Sequence, residues 1–153
     1  MDTNYTCTVN DILVNLFREI WKLEEKALIT EEYSDISVND MHVIEAVGLD
    51  GDKNMSQIAK KLDITVGSLT TAMNGLVKKT YVTRERSEED RRVVTIRLTD
   101  KGERAYRHHA LFHEKMANAA LGSLTEKEIP VVAKTLSSLA DFFRGYDRDE
   151  SCL

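Results

Sequence analysis

Between Thr80 and Thr99 the spacing of apolar side chains changes from a helical repeat to alternation and then back again. Upstream, Leu69, Met73, Leu76 and Val77 recur at intervals of three and four, as one face of a helix requires. From Val93 to Leu98, the residues Val94, Ile96 and Leu98 alternate with Val93, Thr95 and Arg97, the period of a strand. A second short strand is expected at Tyr81 to Arg86. The segment between them, Ser87-Glu88-Glu89-Asp90-Arg91-Arg92, is too long for a tight turn and heavily charged, as suits a solvent-facing hairpin tip.

The rest of the chain reads as helix. Ile12, Leu13, Leu16, Phe17, Ile20, Trp21, Ala27 and Leu28 place an amphipathic helix from about Asn10 to about Thr30. Ser37 followed by Asp40 resembles a capping box that opens a short second helix, which Gly48 and Gly51 end. Ser56 to Leu62 is a third helix and Val66 to about Lys79 a fourth, together a helix-turn-helix. Thr99 caps a long fifth helix carrying Ala105, His109, Phe112, Met116 and Ala119. Thr125 with Glu128 marks a second capping box for a final helix, with Pro130 in its tolerant first turns. The expected fold is mostly α with a small β-hairpin wing, in three segments: an N-terminal dimerisation helix (1–36), a winged helix-turn-helix (37–100) and C-terminal dimerisation helices (101–153).

Formal charge sums to −5 over 153 residues, which argues against a polyanionic partner until its distribution is considered. Residues 1–52 carry three basic and twelve acidic side chains, residues 53–104 twelve and seven, and residues 105–153 six and seven. Only the middle is basic, so association with nucleic acid is expected to be local to the hairpin and its preceding helices. The N-terminus lacks a basic and apolar leader, and no apolar run approaches the roughly 18 residues needed to span a bilayer, so a cytoplasmic protein with no membrane partner is expected. Cys7 and Cys152 lie near opposite ends without a Cys-x-x-Cys partner and suggest neither a disulfide framework nor a thiolate zinc site. There is no glycine-rich phosphate loop, nucleophile elbow or recognisable carboxylate pair, so no enzymatic role can be assigned and no cofactor is required.

On a wheel of the fourth helix, Gly67, Thr71, Asn74 and Lys78 lie opposite the apolar side, flanked by Ser68 and Thr70. The helix carries Lys78 and Lys79 and no acid, the requirement for lying between two rows of phosphates. Gly67 and Gly75 each cost about 1 kcal/mol of helix propensity, which is easier to understand if the backbone approaches another surface closely. Asn74 can pair with adenine edges, and the threonines offer a hydroxyl and a methyl. The competing reading is a merely solvated face. In the hairpin, Arg92 is expected to enter an A·T-rich minor groove, Asp90 to orient it, and Arg84, Arg91 and Lys78 to bind phosphate.

These residues resemble the MarR winged-helix repressors over nearly the whole chain. Met55-Ser56-Gln57-Ile58-Ala59 with Leu62 is similar to the family's first reading helix. Leu76-Val77-Lys78-Lys79, Tyr81-Val82 and Arg84 resemble its helix-to-strand junction, and Asp90-Arg91-Arg92 through Leu98-Thr99-Asp100-Lys101-Gly102 its wing signature. Thr80 departs from the usual glycine, which should cost on the order of 1 kcal/mol or shift the cap. The resemblance implies a homodimer joined by its terminal helices on a pseudo-palindromic, AT-rich double-stranded site.

Ile36 to Glu45, Ser87 to Val94 and Phe112-His113 look like the subgroup that represses fatty-acid synthesis genes. That likeness implies a long-chain acyl group on acyl carrier protein as co-repressor, for which Leu16, Phe17, Ile20, Met41, Phe112 and Met116 are the expected lining. The same residues also read as ordinary core, because apolar stripes at helical spacing are the normal means of burial. Metal sensing is the alternative. Glu24 and His109 interrupt apolar stripes, His109 and His113 are four apart, and with His42 they offer N and O ligands of the kind zinc takes. Some zinc-responsive members of the family use a comparable arrangement, and hydrogen-bonded interfacial histidines are the other reading of the same residues. Redox sensing through Cys7 has little behind it, since its expected place on an N-terminal segment offers little to activate a thiol.

Arg92→Ala is expected to weaken operator binding by about 1 to 3 kcal/mol and to relax preference at minor-groove A·T positions, without disturbing oligomeric state. A footprint and affinity equal to wild type would remove the hairpin tip from the interface.

Overall fold

The computed structural model describes residues 3–28, 30–51, 53–86 and 94–146. Two compact units are present, Met1–Phe112 and His113–Leu153. The first contains α1 (Thr3–Leu28), a 3-10 turn (Glu31–Tyr33), α2 (Val38–Val47), β1 (Lys53–Asn54), α3 (Met55–Leu62), α4 (Val66–Lys78), β2 (Val82–Arg86) and β3 (Val94–Leu98). It also holds the first half of α5 (Asp100–Leu121), which runs on into the second unit, where α6 (Ile129–Tyr146) follows. The mostly helical architecture with a hairpin wing matches the expected fold. Near its end α1 buries Glu24 and Leu28 together with the helix-turn-helix.

Local chemistry explains where these helices start and stop. Ser37 Oγ accepts from the Asp40 amide and Asp40 Oδ2 accepts from the Ser37 amide, both at 3.1 Å, closing the capping box of α2. Asn54 and Gln57 form the equivalent box for α3, which ends at Asp63 in the left-handed conformation, φ 54°. Thr65 Oγ1 accepts from the Ser68 amide at 3.1 Å and opens α4. In the second unit the Thr125 amide and hydroxyl both donate to Glu128 Oε2, and those two bonds hold its carboxyl below the usual range.

The hairpin is part of a three-stranded antiparallel sheet ordered β1-β3-β2, with Arg84 opposite Ile96 and Lys53 on the other side of Ile96. β1 is only two residues long and escaped the sequence reading, since no periodicity can be recognised over so short a span. Met41, Ile44 and Val47 of α2, Ile58 of α3, Leu69, Met73 and Leu76 of α4, Tyr81 just before β2, and Val82 and Ile96 of the sheet form one buried cluster. Leu28 of α1 and Ala105 of α5 complete it. Gly102 sits where α5 crosses the sheet, and a Cβ there would lie 2.0 Å from the Tyr81 carbonyl oxygen, so only glycine fits.

The end of α4 is closed by two backbone bonds. The Tyr81 amide donates to the Leu76 carbonyl at 2.9 Å and the Thr80 amide to the Val77 carbonyl at 3.0 Å, the paired bonds of a Schellman cap. Leu76 and Tyr81 are both fully buried, supplying the apolar contact that usually accompanies it. The cap demands positive φ at Thr80, and Thr80 adopts it at 65°, so the strain expected from the sequence is present in the fold. Thr99 Oγ1 donates to the Thr80 carbonyl at 2.6 Å and helps to hold that conformation.

Thr80→Gly should raise unfolding stability by about 1 kcal/mol, because it removes the Cβ clash of a branched residue in the left-handed region. Urea denaturation measures this, and a variant no more stable than wild type would show that the cap is not strained.

Candidate nucleic-acid interface

α4 is anchored from one side and open on the other. Leu69, Met73 and Leu76 are fully buried, while Gly67, Ser68, Thr70, Thr71, Asn74 and Lys78 are all exposed, so the side chains read from the wheel share one open surface. A Cβ at Gly75 would meet nothing within 4 Å, and one at Gly67 would meet only Thr65 Oγ1 at 3.7 Å. No neighbouring element among the described residues therefore requires glycine at either place. Thr70 Oγ1 donates to the Val66 carbonyl at 2.7 Å, which engages its hydrogen within the helix and leaves the oxygen as an acceptor.

The lysines at the helix end have different roles. Lys78 is exposed, whereas Lys79 Nζ lies 3.2 Å from Asp40 Oδ2, tying the end of α4 to the capping box of α2. In β2, Arg84 is exposed and its Nη2 donates to Asn74 Oδ1 at 2.7 Å. Glu85 is offset by Arg97, whose Nε lies 2.9 Å from Glu85 Oε2. Asp90, Arg91 and Arg92, expected at the hairpin tip, lie outside the described residues. A slender polar row without acids, flanked by cations, has the width and charge to enter a major groove.

Behind this surface, Tyr81 Oη donates to Asp35 Oδ1 at 2.6 Å, and Lys101 Nζ lies 3.1 Å from Asp35 Oδ2 and 4.0 Å from the centre of the Tyr81 ring. Burial pushes the Asp35 carboxyl up, but the bonds from Tyr81 and Lys101 outweigh it and hold that carboxyl below its ordinary range. Burial and the Asp35 bond together raise the Tyr81 phenol well above its ordinary value. The neutral-phenol, ionised-carboxylate pair is therefore kept across neutral pH, so the α4 to β2 junction stays fixed.

Of the residues expected to line an effector site, Leu16 and Phe17 are exposed on α1, Ile20 is half-buried and Met41 is fully buried in the core. Phe112 is half-buried on α5, 6.2 Å from the His109 ring and stacked on it, and Met116 is exposed in the second unit. A cavity of about 320 Å³ in the first unit is lined instead by Trp21, Glu25, Leu28, Ser34, Ile36, Ser37, Val38 and Asn39. Periodicity could mark apolar residues but not which of them face a void, so this lining was missed.

Glu24, His42 and His109, all expected metal ligands, lie together in the first unit. Glu24 Oε1 lies 3.0 Å from His42 Nε2 and 3.2 Å from His109 Nε2, and His109 Nε2 is 3.7 Å from Glu45 Oε1. Glu24 and His109 are buried, and the imidazoles supply the partners that a carboxylate needs there. Glu45 was missed, because its place on α2 beside His42 gives no sign that it reaches His109. His113 belongs to the second unit. Cys7 is an exposed thiol on α1.

Comparison with known proteins places this geometry. A family described as transcriptional regulator SarA/Rot matches residues 24–108. The Streptococcus pneumoniae protein FabT, solved in complex with DNA, is 37% identical, with a TM-score of 0.83 over 92% of this chain and 99% of that one. An HTH-type transcriptional regulator of Bacillus subtilis, YfiV, is 32% identical over 111 residues, 67% of this chain and 69% of its own. A MarR family protein from Bacillus stearothermophilus shares the fold at 19% identity, with a TM-score of 0.70 over 94% of this chain and 99% of its own. Among the described residues no helix is long and apolar enough to cross a membrane.

Lys78→Ala should weaken binding to all DNA sequences alike and reduce the slope of log affinity against log salt by about one. A sequence-selective loss would instead make Lys78 a base contact.

Proposed function

The chain belongs to the SarA/Rot family of transcriptional regulators and is a DNA-binding regulator of the MarR type, and from that premise we propose that it acts as a homodimeric repressor of fatty-acid synthesis genes. The observation that carries the DNA-binding half is the exposed row from Gly67 to Lys78 on a helix buried along its opposite side. Two such rows related by a two-fold axis read a pseudo-palindromic site, and the hairpin tips take the adjoining A·T-rich minor grooves. Exposed apolar side chains on the terminal helices support dimerisation. Val9, Ile12 and Trp21 on α1, and Val131, Leu136, Phe142 and Phe143 on α6, are each more than half exposed, an unusual amount of apolar surface for a protein that stays alone.

The co-repressor is a long-chain acyl group delivered on acyl carrier protein. Support comes from the subgroup resemblance of Ile36 to Glu45 and Ser87 to Val94 and from the 37% identity to FabT. The cavity beside Trp21, Leu28 and Ile36 falls within the volume range of small-ligand sites and offers the chain an apolar wall. Ser37, Val38 and Asn39 on its rim begin α2, whose Asp40 holds Lys79 at the end of the reading helix, so an occupant has a short physical route to the DNA surface.

A second reading, regulation by zinc, is favoured by one observation: ligand atoms of His42, Glu45 and His109 lie within 4.8 Å of one another, with Glu24 against both histidines. Two imidazoles and carboxylates are a donor set that zinc accepts. In this reading the protein's residues would hold the ion and link α1, α2 and α5.

Affinity for an AT-rich inverted repeat from upstream of fatty-acid synthesis genes is to be measured with long-chain acyl carrier protein and, separately, with zinc. The acylated carrier is expected to tighten binding at least tenfold while zinc has no effect. A response to zinc alone would replace the lipid reading with the metal one.

A further inference from the structure

We infer that Arg84 is a positioning residue for base recognition: by binding the Asn74 carbonyl it fixes the amide so that Asn74 offers its NH2 to the groove and reads an acceptor edge, guanine O6 and N7 above all. The inference rests on the reading that α4 lies in the major groove. Its basis is the 2.7 Å bond from Arg84 Nη2 to Asn74 Oδ1, which joins β2 to the middle of the exposed row of α4.

An asparagine amide can be turned over with little cost in water, and its two ends read opposite base patterns. Here the choice is made by the partner. Guanidinium has five donors and no acceptor, so only the carbonyl end of Asn74 can face it. The NH2 end then points away from Arg84, and its hydrogens match a base edge made of acceptors. Adenine, which needs a donor and an acceptor from the same amide, is the poorer fit, and cytosine, which presents an N4 donor, the poorest. This replaces the adenine pairing expected from the sequence.

Nothing in the core depends on the pair. Asn74 and Arg84 are both exposed, and Arg84 stands opposite Ile96 in the middle of the hairpin ladder, a place held by backbone bonds. Four of the guanidinium donors remain for a phosphate, so one side chain can fasten the reading amide to the DNA backbone. Lys78, in contrast, is an exposed cation at the end of the same row and is expected to serve as a phosphate contact.

Binding-site selection from a random DNA pool with wild type, Asn74→Ala, Arg84→Ala, Arg84→Lys and the double variant tests this. Wild type should select guanine over adenine at one symmetric pair of positions by roughly 5- to 100-fold, the range of a good base contact. Asn74→Ala and Arg84→Ala should each flatten that position, the double variant should flatten it no further, and Arg84→Lys, which keeps one donor, should restore part of it. If Arg84→Ala lowers affinity equally for every sequence with the profile unchanged, Arg84 is only a phosphate contact and the inference fails. Selection of adenine by wild type at the position that Asn74→Ala flattens would also overturn it. If Asn74→Ala leaves the profile untouched at every position, the placement of α4 in the groove fails with it.

Discussion

The backbone carbonyl of Tyr81 lies where the reading helix turns into the hairpin, and several parts of the chain converge on it. The Thr99 amide donates to it at 3.0 Å, the Thr99 hydroxyl reaches it at 3.2 Å, and Gly102 passes so close that no side chain could stand there. Thr99 also opens α5 by accepting from the Gly102 amide at 3.1 Å. One junction therefore sets the end of α4, the start of β2 and the start of α5 together. Because the side chain of the same residue is buried and bonded to Asp35, the segment before α2 is registered against the junction as well. Under the proposed function α4 and the hairpin must keep a fixed angle if both are to meet the same duplex, and this junction is where such an angle would be set.

Much of this was legible in the sequence because it is local. Ser37 and Asp40, Thr99, and Thr125 with Glu128 announce helix starts by side-chain bonds three residues long, and the change of period after Thr80 announces the hairpin. Thr80 could even be identified as strained, since the cap geometry that follows Leu76-Val77 fixes the sign of φ whatever residue occupies it. The exposed row of α4 followed from one helical period.

What the sequence did not reveal depends on distances between elements. The Arg84 to Asn74 bond, the Lys79 to Asp40 pair and the approach of Glu45 to His109 join residues 10, 39 and 64 positions apart. No periodicity encodes such separations. The cavity beside Trp21 is a further case: it exists because α1, the segment after it and the start of α2 leave space, and a void has no residue type of its own. Charge segmentation could locate a basic middle, but it could not tell that Lys79 and Lys101 are held by acids while Lys78 is left for solvent or phosphate.

The division of α4 into a buried side of Leu69, Met73 and Leu76 and an open side from Gly67 to Lys78 bears on how such a protein changes over evolutionary time. Under the proposed function, folding selects one set of positions and target choice the other, and within the helix the two sets do not overlap. New operators can thus be acquired by drift along the open side at almost no risk to the fold, and duplicated copies can diverge in the genes they govern while keeping one scaffold.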